Sequence, residues 1–275
     1  MQKFYVLGHP IAHSYSPIMH NASFRAIGYE AVYDKLDVPP KELTSALRRL
    51  QSEGCVGVNL TVPLKEIAVP LMTELSPRAR RLQAVNTVRI TASGFYGDNT
   101  DADGLLDDLV GHYGFTLKGL PIAVIGCGGA GRAIAAALAE AGAELTLLNR
   151  SRDRLQAVAV ELNSAKAFAI GEPGWDKALH QVSLIIQCTP AGIRSGDEAV
   201  LPTEHFHPGQ FLYDIVIRPR SLTTPTLDAA LAAGAKGCNG IGMLVGQGAR
   251  AFTVWTGLQA DRMAMEQAIR GTILA

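Results

Sequence analysis

The sequence predicts an α/β protein of two domains, on three observations. Short apolar runs that read as strands alternate with helical segments, the pattern of layered α/β proteins with mainly parallel sheets. The chain has 275 residues, which at roughly 150 residues per domain divides naturally into two. A glycine-rich turn, GCGGAG at 126–131, joins an apolar strand to an Ala-rich helix.

Taken in order, KFYVLG is a short apolar run ending in Gly8, a buried strand. SPIMHNASFRAIG follows as a helix, with Ser16 as N-cap, Pro17 at its first position and Gly28 past its end. AVYDKLDV is a strand, PKELTSALRRLQSEG an amphipathic helix stopped by Gly54, and CVGVNLTVP a strand. AVNTVRIT and GFYGDNT form two strands joined by the turn ASG, and a helix runs from about Asp103 to His112. At Leu120 the pattern changes. PIAVIG, AELTLLN, KAFAI, VSLIIQC and QFLYDIVI are strands, separated by the helices GGAGRAIAAALAEAG, SRDRLQAVAVELN and, after the last strand, TPTLDAALAAG. The final forty residues are helical and rich in core residues. The domain boundary falls near Asp103, with a second crossing near Gly240. One domain would then comprise 1–102 with helices 241–275 packed back on it, and the other 103–240.

Composition narrows the function. At 48% hydrophobic and 18% charged, the chain can bury a core and is far from disordered. Lys+Arg and Asp+Glu balance at 25 each, which gives no electrostatic case for nucleic acid or an anionic membrane. No window approaches the ~20 apolar residues of a membrane span, and the N-terminus lacks a signal-peptide pattern. The four cysteines are scattered without a C-x-x-C pair, which fits a reduced cytoplasmic protein and argues against zinc.

The most legible motif is AVIGCGGAGRA. Gly126, Gly128 and Gly131 satisfy G-x-G-x-x-G between a strand and a helix, a dinucleotide-binding context. The glycines there allow a tight turn and close backbone approach to a pyrophosphate at the helix N-terminus. At the end of the next strand an NAD site usually carries a carboxylate for the ribose 2′-hydroxyl. Here the position is Asn149, followed by Arg150, Ser151, Arg152 and Arg154. Arginines attract a 2′-phosphate that a carboxylate would repel, and at a helix N-terminus they oppose the macrodipole, so NADP(H) is the expected cofactor.

A second constellation is GVNLTVPLKE, where Asn59 and Thr61 share one strand face and Lys65 follows Pro63. On spacing alone, a structural Asn–Thr pair with an exposed lysine is an equal reading. In AHSYSP, capping explains Ser16, whereas Ser14 has no such structural role. His9, His13 and His20 have no carboxylate or cysteine at ligand spacing and are expected to be structural or exposed. GDNTDADG, residues 97–104, begins like a calcium loop at Asn99, but Val110 stands where the closing bidentate Glu should be, so no metal is expected. It reads instead as a strand end running into a helix, with Asp103 as N-cap, Asp98 solvated and Asp101 at the strand's C-terminal end.

These motifs together carry a resemblance. PIAHSYSPIMHN, GVNLTVPLKE, AVNTV, GDNTDADG, GCGGAGRA, NRSRDR, CTPAG and NGIGMLVGQGARAF follow the order and spacing of the shikimate dehydrogenase family along essentially the whole chain. The resemblance implies reversible NADP-dependent reduction of 3-dehydroshikimate to shikimate in aromatic amino-acid biosynthesis. It also implies an N-terminal substrate domain, a Rossmann-like NADP domain and a cleft between them. By motif position Ser14 and Ser16 would hold the substrate carboxylate; Asn59, Thr61, Asn86 and Gln247 would bind ring hydroxyls or order their neighbours; and Lys65 and Asp101 would be the catalytic pair. Gly126, Cys127, Gly128, Gly129 and Ala130, with Asn149, Arg150, Ser151 and Arg154, would hold the cofactor, and Thr189, Ile215 and Gly240 would lie near its nicotinamide. The expected partner is a small-molecule substrate, and the expected assembly a monomer or homodimer.

One position departs from the family pattern. Where a tyrosine commonly reaches the substrate, this chain has Ile217, followed by Arg218. Tyr213 lies four residues back, about 13 Å along a strand and too far to substitute. The departure leaves open weaker shikimate binding, compensation by Arg218 or Arg220, or another substrate, as in a quinate- or aminoshikimate-type dehydrogenase; a separate alternative, a non-catalytic NADP(H)-binding sensor, is disfavoured because Lys65, Asp101, Asn59, Asn86 and Gln247 all match.

Overall fold

The computed structural model describes all residues except 164, 165 and 195. The chain divides into two compact units, the first made of 1–104 and 244–271, the second of 105–243 and 272–275.

The first unit is built on β1 (Gln2–Gly8), α1 (Ser16–Ala26), β2 (Ala31–Asp37), α2 (Leu43–Ser52), β3 (Gly57–Leu60), α3 (Leu64–Ile67), β4 (Glu74–Leu75), α4 (Pro77–Leu82), β5 (Thr87–Thr91) and β6 (Gly94–Asp98). Its sheet runs β2-β1-β3-β5-β6-β4. β1 pairs parallel with β2 and β3, whereas β5 pairs antiparallel with β3 and β6. The parallel β1 pairings follow from helical crossovers, and the antiparallel β5–β6 hairpin from the tight turn between Thr91 and Gly94. One face of the sheet buries Leu7, Val58, Leu60 and Val88 with Leu43, Leu47 and Leu50 of α2. On the other, Phe4 packs against Phe24 and Trp255. Trp255 donates its indole N–H to the Val88 carbonyl at 3.0 Å, and a Cβ at Gly57 would overlap its ring, so that strand position must be glycine.

The second unit opens from α5 (Asp101–Asp107), which begins in the first unit, and continues through β7 (Pro121–Ile125), α6 (Gly129–Glu140), β8 (Glu144–Asn149), α7 (Arg152–Leu162), β9 (Lys166–Ala169), α8 (Trp175–His180), β10 (Leu184–Gln187), β11 (Phe211–Asp214), α9 (Pro225–Ala232) and β12 (Lys236–Cys238). Every pairing in its sheet, order β12-β11-β10-β7-β8-β9, is parallel. Both faces are covered, one by a cluster around Val124, Leu147 and Ile186, the other by one around Ala123, Ile185 and Leu212. This is why its strands are continuous apolar runs rather than alternating ones. α10 (Ile241–Thr256) and α11 (Arg262–Leu274) close the chain. The α/β class expected from the sequence is the class observed.

Four local expectations are corrected. Ser16 is not the N-cap of α1; Tyr15 holds that position, and the Ser16 N–H is received by Ser14 Oγ at 3.3 Å. Pro17 has no N–H to be capped, so the acceptor serves the residue before it. Asp103 is not an N-cap either. α5 starts two residues earlier, because Asn99 Oδ1 accepts the Asp101 N–H (3.2 Å) and Asn86 Oδ1 the Thr100 N–H (2.8 Å). The Asp103 carboxylate instead pairs with Arg78 and Arg250. Asp98 is not merely solvated: it accepts from Ser76 Oγ (2.5 Å) and Asn99 N (2.7 Å). The strands expected over 55–63 and 210–217 are shorter, Gly57–Leu60 and Phe211–Asp214. A turn leads to Pro63 in the first, and in the second Asp214 Oδ1 takes the Val216 N–H and turns the chain out of the sheet.

Candidate active site

In the first unit Lys65 lies on the one-turn helix α3, directly after the turn at Pro63, and Asp101 is the first residue of α5. A carboxylate at that helix end is favoured by the unpaired N–H groups and the positive end of the dipole. Lys65 Nζ donates to Asp101 Oδ2 at 2.7 Å, with side chains 28% and 17% exposed. The pair is therefore shielded but open to a small molecule, and its strength lies in geometry more than in bulk Coulomb energy.

Behind the pair stands a buried polar lattice. Asn86 Nδ2 donates to Asp101 Oδ1 (2.8 Å) and Thr100 Oγ1 (3.1 Å), while Asn86 Oδ1 accepts from Thr100 N (2.8 Å) and Thr87 Oγ1 (2.8 Å). Asn59 Nδ2 donates to the Asn86 carbonyl (3.1 Å) and Thr87 Oγ1 (3.3 Å), and Asn59 Oδ1 accepts from Tyr33 OH (2.7 Å). The expected face of Asn59 is thus buried and satisfied, as a strand amide must be. Thr61 lies just past the end of β3, half-buried, its N–H still donating to the Leu7 carbonyl at 2.9 Å. Ser16 is buried and Ser14 is half-buried. Gln247 on α10 is buried, and its Nε2 donates to the Leu244 carbonyl of its own helix at 2.9 Å. His20 stacks on Tyr33 at 4.3 Å, fully buried and without a hydrogen-bond partner for either ring nitrogen; burial lowers it to about 3, so it is a neutral core histidine.

In the second unit the glycine turn leaves β7 and enters α6 at Gly129. Gly126 has φ +100°, and a Cβ there would press on Thr189 Cγ2 at 2.8 Å. A Cβ at Gly131 would overlap the Gly126 carbonyl oxygen. These two glycines are thus required by the protein itself. Gly128 and Gly129 are not, because a Cβ at either would meet nothing within 4 Å. Open space over two glycines at the start of a helix of 12 residues fits a dinucleotide pyrophosphate lying on bare backbone. Cys127 and Ala130 complete the loop; Cys127 N donates to Asn149 Oδ1 at 3.3 Å, and burial pushes the Cys127 thiol up to about 11. Asn149 also donates to the Ser151 carbonyl at 2.8 Å, so one amide ties the glycine loop to the next strand's end. Of the arginines, Arg152 is engaged with Glu172, whereas Arg150 and Arg154 are exposed along with Ser151.

Thr189, Ile215 and Gly240 sit on a further buried network in this unit. Gln187 Oε1 accepts the Thr189 N–H, and Gln187 Nε2 donates to Asp214 Oδ1 at 3.2 Å. Asp214 also accepts from Thr224 Oγ1 at 2.5 Å; burial raises its carboxyl to about 6, against the pull of these donors. A Cβ at Gly240 would overlap the Ile215 carbonyl. Ile217 is half-buried beyond the end of β11. Tyr213 is fully buried and committed, donating to Asp108 Oδ2 (2.7 Å) and accepting from Met243 N (2.8 Å), so it offers no free phenol.

Sequence reasoning missed Tyr33, Thr87, Thr100, Gln187 and Asp214. Two of these carried a signal: Thr87 and Thr100 each follow an asparagine, and these two Asn-Thr dipeptides meet in space. Among the described residues no group of His, Cys, Asp and Glu could hold a metal ion, and no helix is long and apolar enough to cross a membrane.

Fold and site together define a class: an α/β protein with a dinucleotide-type glycine turn in one unit and a lysine–aspartate pair in the other. Comparison with known proteins makes this specific. The family profile described as the shikimate dehydrogenase substrate binding domain matches residues 6–88, that of the shikimate 5'-dehydrogenase C-terminal domain residues 240–270, and that of ketopantoate reductase PanE/ApbA residues 122–191. Shikimate dehydrogenase (NADP(+)) of Thermus thermophilus is 42% identical, covering 98% of both chains, and that of Methanopyrus kandleri 40% identical, covering 96% of this chain and 93% of its own. The crystal structure of shikimate 5-dehydrogenase from Thermus thermophilus in complex with NADP(H) and shikimate superposes with a TM-score of 0.90 at 41% identity, covering 99% of this chain and 100% of that one. The chain belongs to the shikimate dehydrogenase family.

Proposed function

We propose that this chain is an NADP-dependent shikimate dehydrogenase, an oxidoreductase that interconverts 3-dehydroshikimate and shikimate in the route to aromatic amino acids. The observation that carries the reading is the shielded Lys65–Asp101 pair at 2.7 Å, in a chain so similar along its length to enzymes of that name. In this reading 1–102 with 241–275 serve the substrate and 103–240 the cofactor. The enzyme works in the cytoplasm, as a monomer or homodimer, with its four free cysteines kept reduced.

Gly128 and Gly129 would receive the pyrophosphate, and Arg150 and Arg154 the 2′-phosphate, with Asn149 holding the loop in register. NADPH, when bound, supplies the hydride for the carbonyl carbon. Lys65 Nζ gives its proton to the carbonyl oxygen as negative charge develops there, and in the reverse direction takes it from the hydroxyl. Asp101 Oδ2 keeps a second Lys65 N–H bound, which aims the donor and steadies the ammonium. Ser14 and Ser16 would hold the substrate carboxylate, and Asn59, Thr61, Asn86 and Gln247 would line its hydroxyl face. Thr189, Ile215 and Gly240 would border the nicotinamide, and Ile217 would meet the substrate through apolar contact alone. The test is to follow NADPH and NADH formation with shikimate and with quinate. Turnover of shikimate with NADP, well above that with NAD or quinate, is expected; no turnover of either substrate would overturn the reading.

A further inference from the structure

The two Asn-Thr dipeptides, Asn86-Thr87 and Asn99-Thr100, meet directly behind Asp101. Thr87 is 0% and Thr100 3% exposed, and their hydroxyl oxygens lie 3.1 Å apart. Building on the reading of Lys65 and Asp101 as the proton-transfer pair, we propose that Thr87 and Thr100 are positioning residues that act through Asn86 to hold the position and plane in which the Asp101 carboxylate meets Lys65.

The polarity of the lattice can be worked out atom by atom. The Thr100 backbone N–H can only donate, so the Asn86 atom 2.8 Å away is its oxygen. The Asn86 nitrogen must then face Asp101 Oδ1, 2.8 Å away, and donate to it. That leaves Oδ2 for Lys65 at 2.7 Å. Thr87 Oγ1 receives an N–H from Asn59 at 3.3 Å and passes its own proton to Asn86 Oδ1 at 2.8 Å. Thr100 Oγ1 receives the other Asn86 N–H at 3.1 Å and directs its proton to Thr87 Oγ1 or, at 3.2 Å, to Asn86 Oδ1. Each hydroxyl is at once donor and acceptor, a role no methyl can fill. The Thr100 N–H sets which way the Asn86 amide is turned, and the two hydroxyls add the bonds that hold that amide, and with it the Asp101 carboxylate, in place. Without either, buried partners are left unpaired and the amide must shift to recover them. The lattice makes no contact with solvent through these two threonines, so their part is to aim the carboxylate, and through it the Lys65 ammonium.

The test compares Thr87→Val and Thr100→Val, which keep shape and lose the hydroxyl, with Thr87→Ser and Thr100→Ser, which keep the hydroxyl. Two readouts are used: steady-state kinetics with shikimate and NADP, and the rate of Lys65 modification by trinitrobenzenesulfonate, followed on its peptide by mass spectrometry. The Val variants should lose about tenfold in kcat, with the NADP Kd changed by less than about twofold. Their Lys65 should be modified several-fold faster, and the Ser variants should restore both readouts. Wild-type kcat and labelling in the Val variants, or equal losses in Val and Ser variants, would overturn the inference. The labelling needs no turnover, so it decides this point even if the wild-type protein proves inactive on shikimate, a result that would count against the functional reading instead.

Discussion

The two units carry their polar groups in opposite ways. The first builds its site from buried side chains, the amides of Asn59 and Asn86 and the hydroxyls of Tyr33, Thr87 and Thr100, converging on one ion pair. The second builds its site from backbone, where two glycines needed for packing flank two more whose surroundings are open. Positioning a proton donor requires particular atoms at particular angles, which only side-chain lattices supply. Cradling a pyrophosphate requires many parallel N–H groups and no Cβ, which a glycine turn supplies. The same contrast extends to the buried titratable groups: the first unit holds a neutral histidine, the second a carboxylate partly relieved of its charge.

Acid should separate the units most strongly. His20 is lowered from 6.5 to about 3, so the stability it represents is present above pH 6.5 and is lost as pH falls toward 3, up to about 5 kcal/mol on the order-of-magnitude scale. Asp214 is raised from 3.8 to about 6, so its contribution is present below pH 3.8 and is lost as pH rises through 6, about 3 kcal/mol. Between pH 6.5 and 4, hydrogen exchange should therefore speed up around α1 and β2 while slowing around β10 and β11. His20→Phe should remove the first trend and Asp214→Asn the second. Uniform behaviour in both units would break the contrast.

Lys65→Ala should lower kcat about a thousandfold while leaving the NADP Kd within about twofold, since the role proposed for it lies in the proton step. A comparable loss of NADP affinity would mean that the two sites are not divided as described. In the glycine turn, Gly131→Ala should cost about 1–3 kcal/mol in thermal or urea unfolding, because the new methyl overlaps Gly126. Gly128→Ala should stay within about 0.5 kcal/mol of wild type, because the methyl meets no other atom, yet weaken NADP in calorimetry if the proposed pyrophosphate site lies there. Arg150→Ala with Arg154→Ala should give about a tenfold fall in the preference for NADP over NAD, read as the ratio of kcat/KM values.

The two units also differed in how much their sequences revealed. The glycine turn was legible because its demands are local: Gly126, Gly128 and Gly131 mark a strand-to-helix turn wherever they occur. The longer strands and helices of both units followed from periodicity for the same reason, whereas the short α3, α4, α8, β4 and β12 carry too few residues to show one. Lys65, Asp101, Asn59 and Asn86 could be singled out, but not the way they are held. Asn86 reaches Thr100 across 14 residues, and that contact moves the start of α5 from Asp103 to Asp101. Thr87 sits in a strand where threonine is an ordinary choice, so its hydroxyl gave no warning of a second role. Ser14 accepts the Ser16 N–H, so a hydroxyl with no local role legible in the sequence has one, and Tyr15 stands at the N-cap position expected for Ser16. Tyr33 and Asp214 gave no warning because their partners lie far along the chain, Asn59 for Tyr33 and Gln187 and Thr224 for Asp214.

The central claim is that Asp101, aimed by the lattice behind it, sets the geometry of proton transfer from Lys65. Its most direct test is the initial rate of NADPH formation from shikimate by wild type, Asp101→Asn and Asp98→Asn, each with a measured NADP Kd. The account predicts a fall of about a hundredfold or more for Asp101→Asn and little change in rate for Asp98→Asn, with NADP binding preserved in both. An Asp101→Asn enzyme turning over shikimate at the wild-type rate would contradict it.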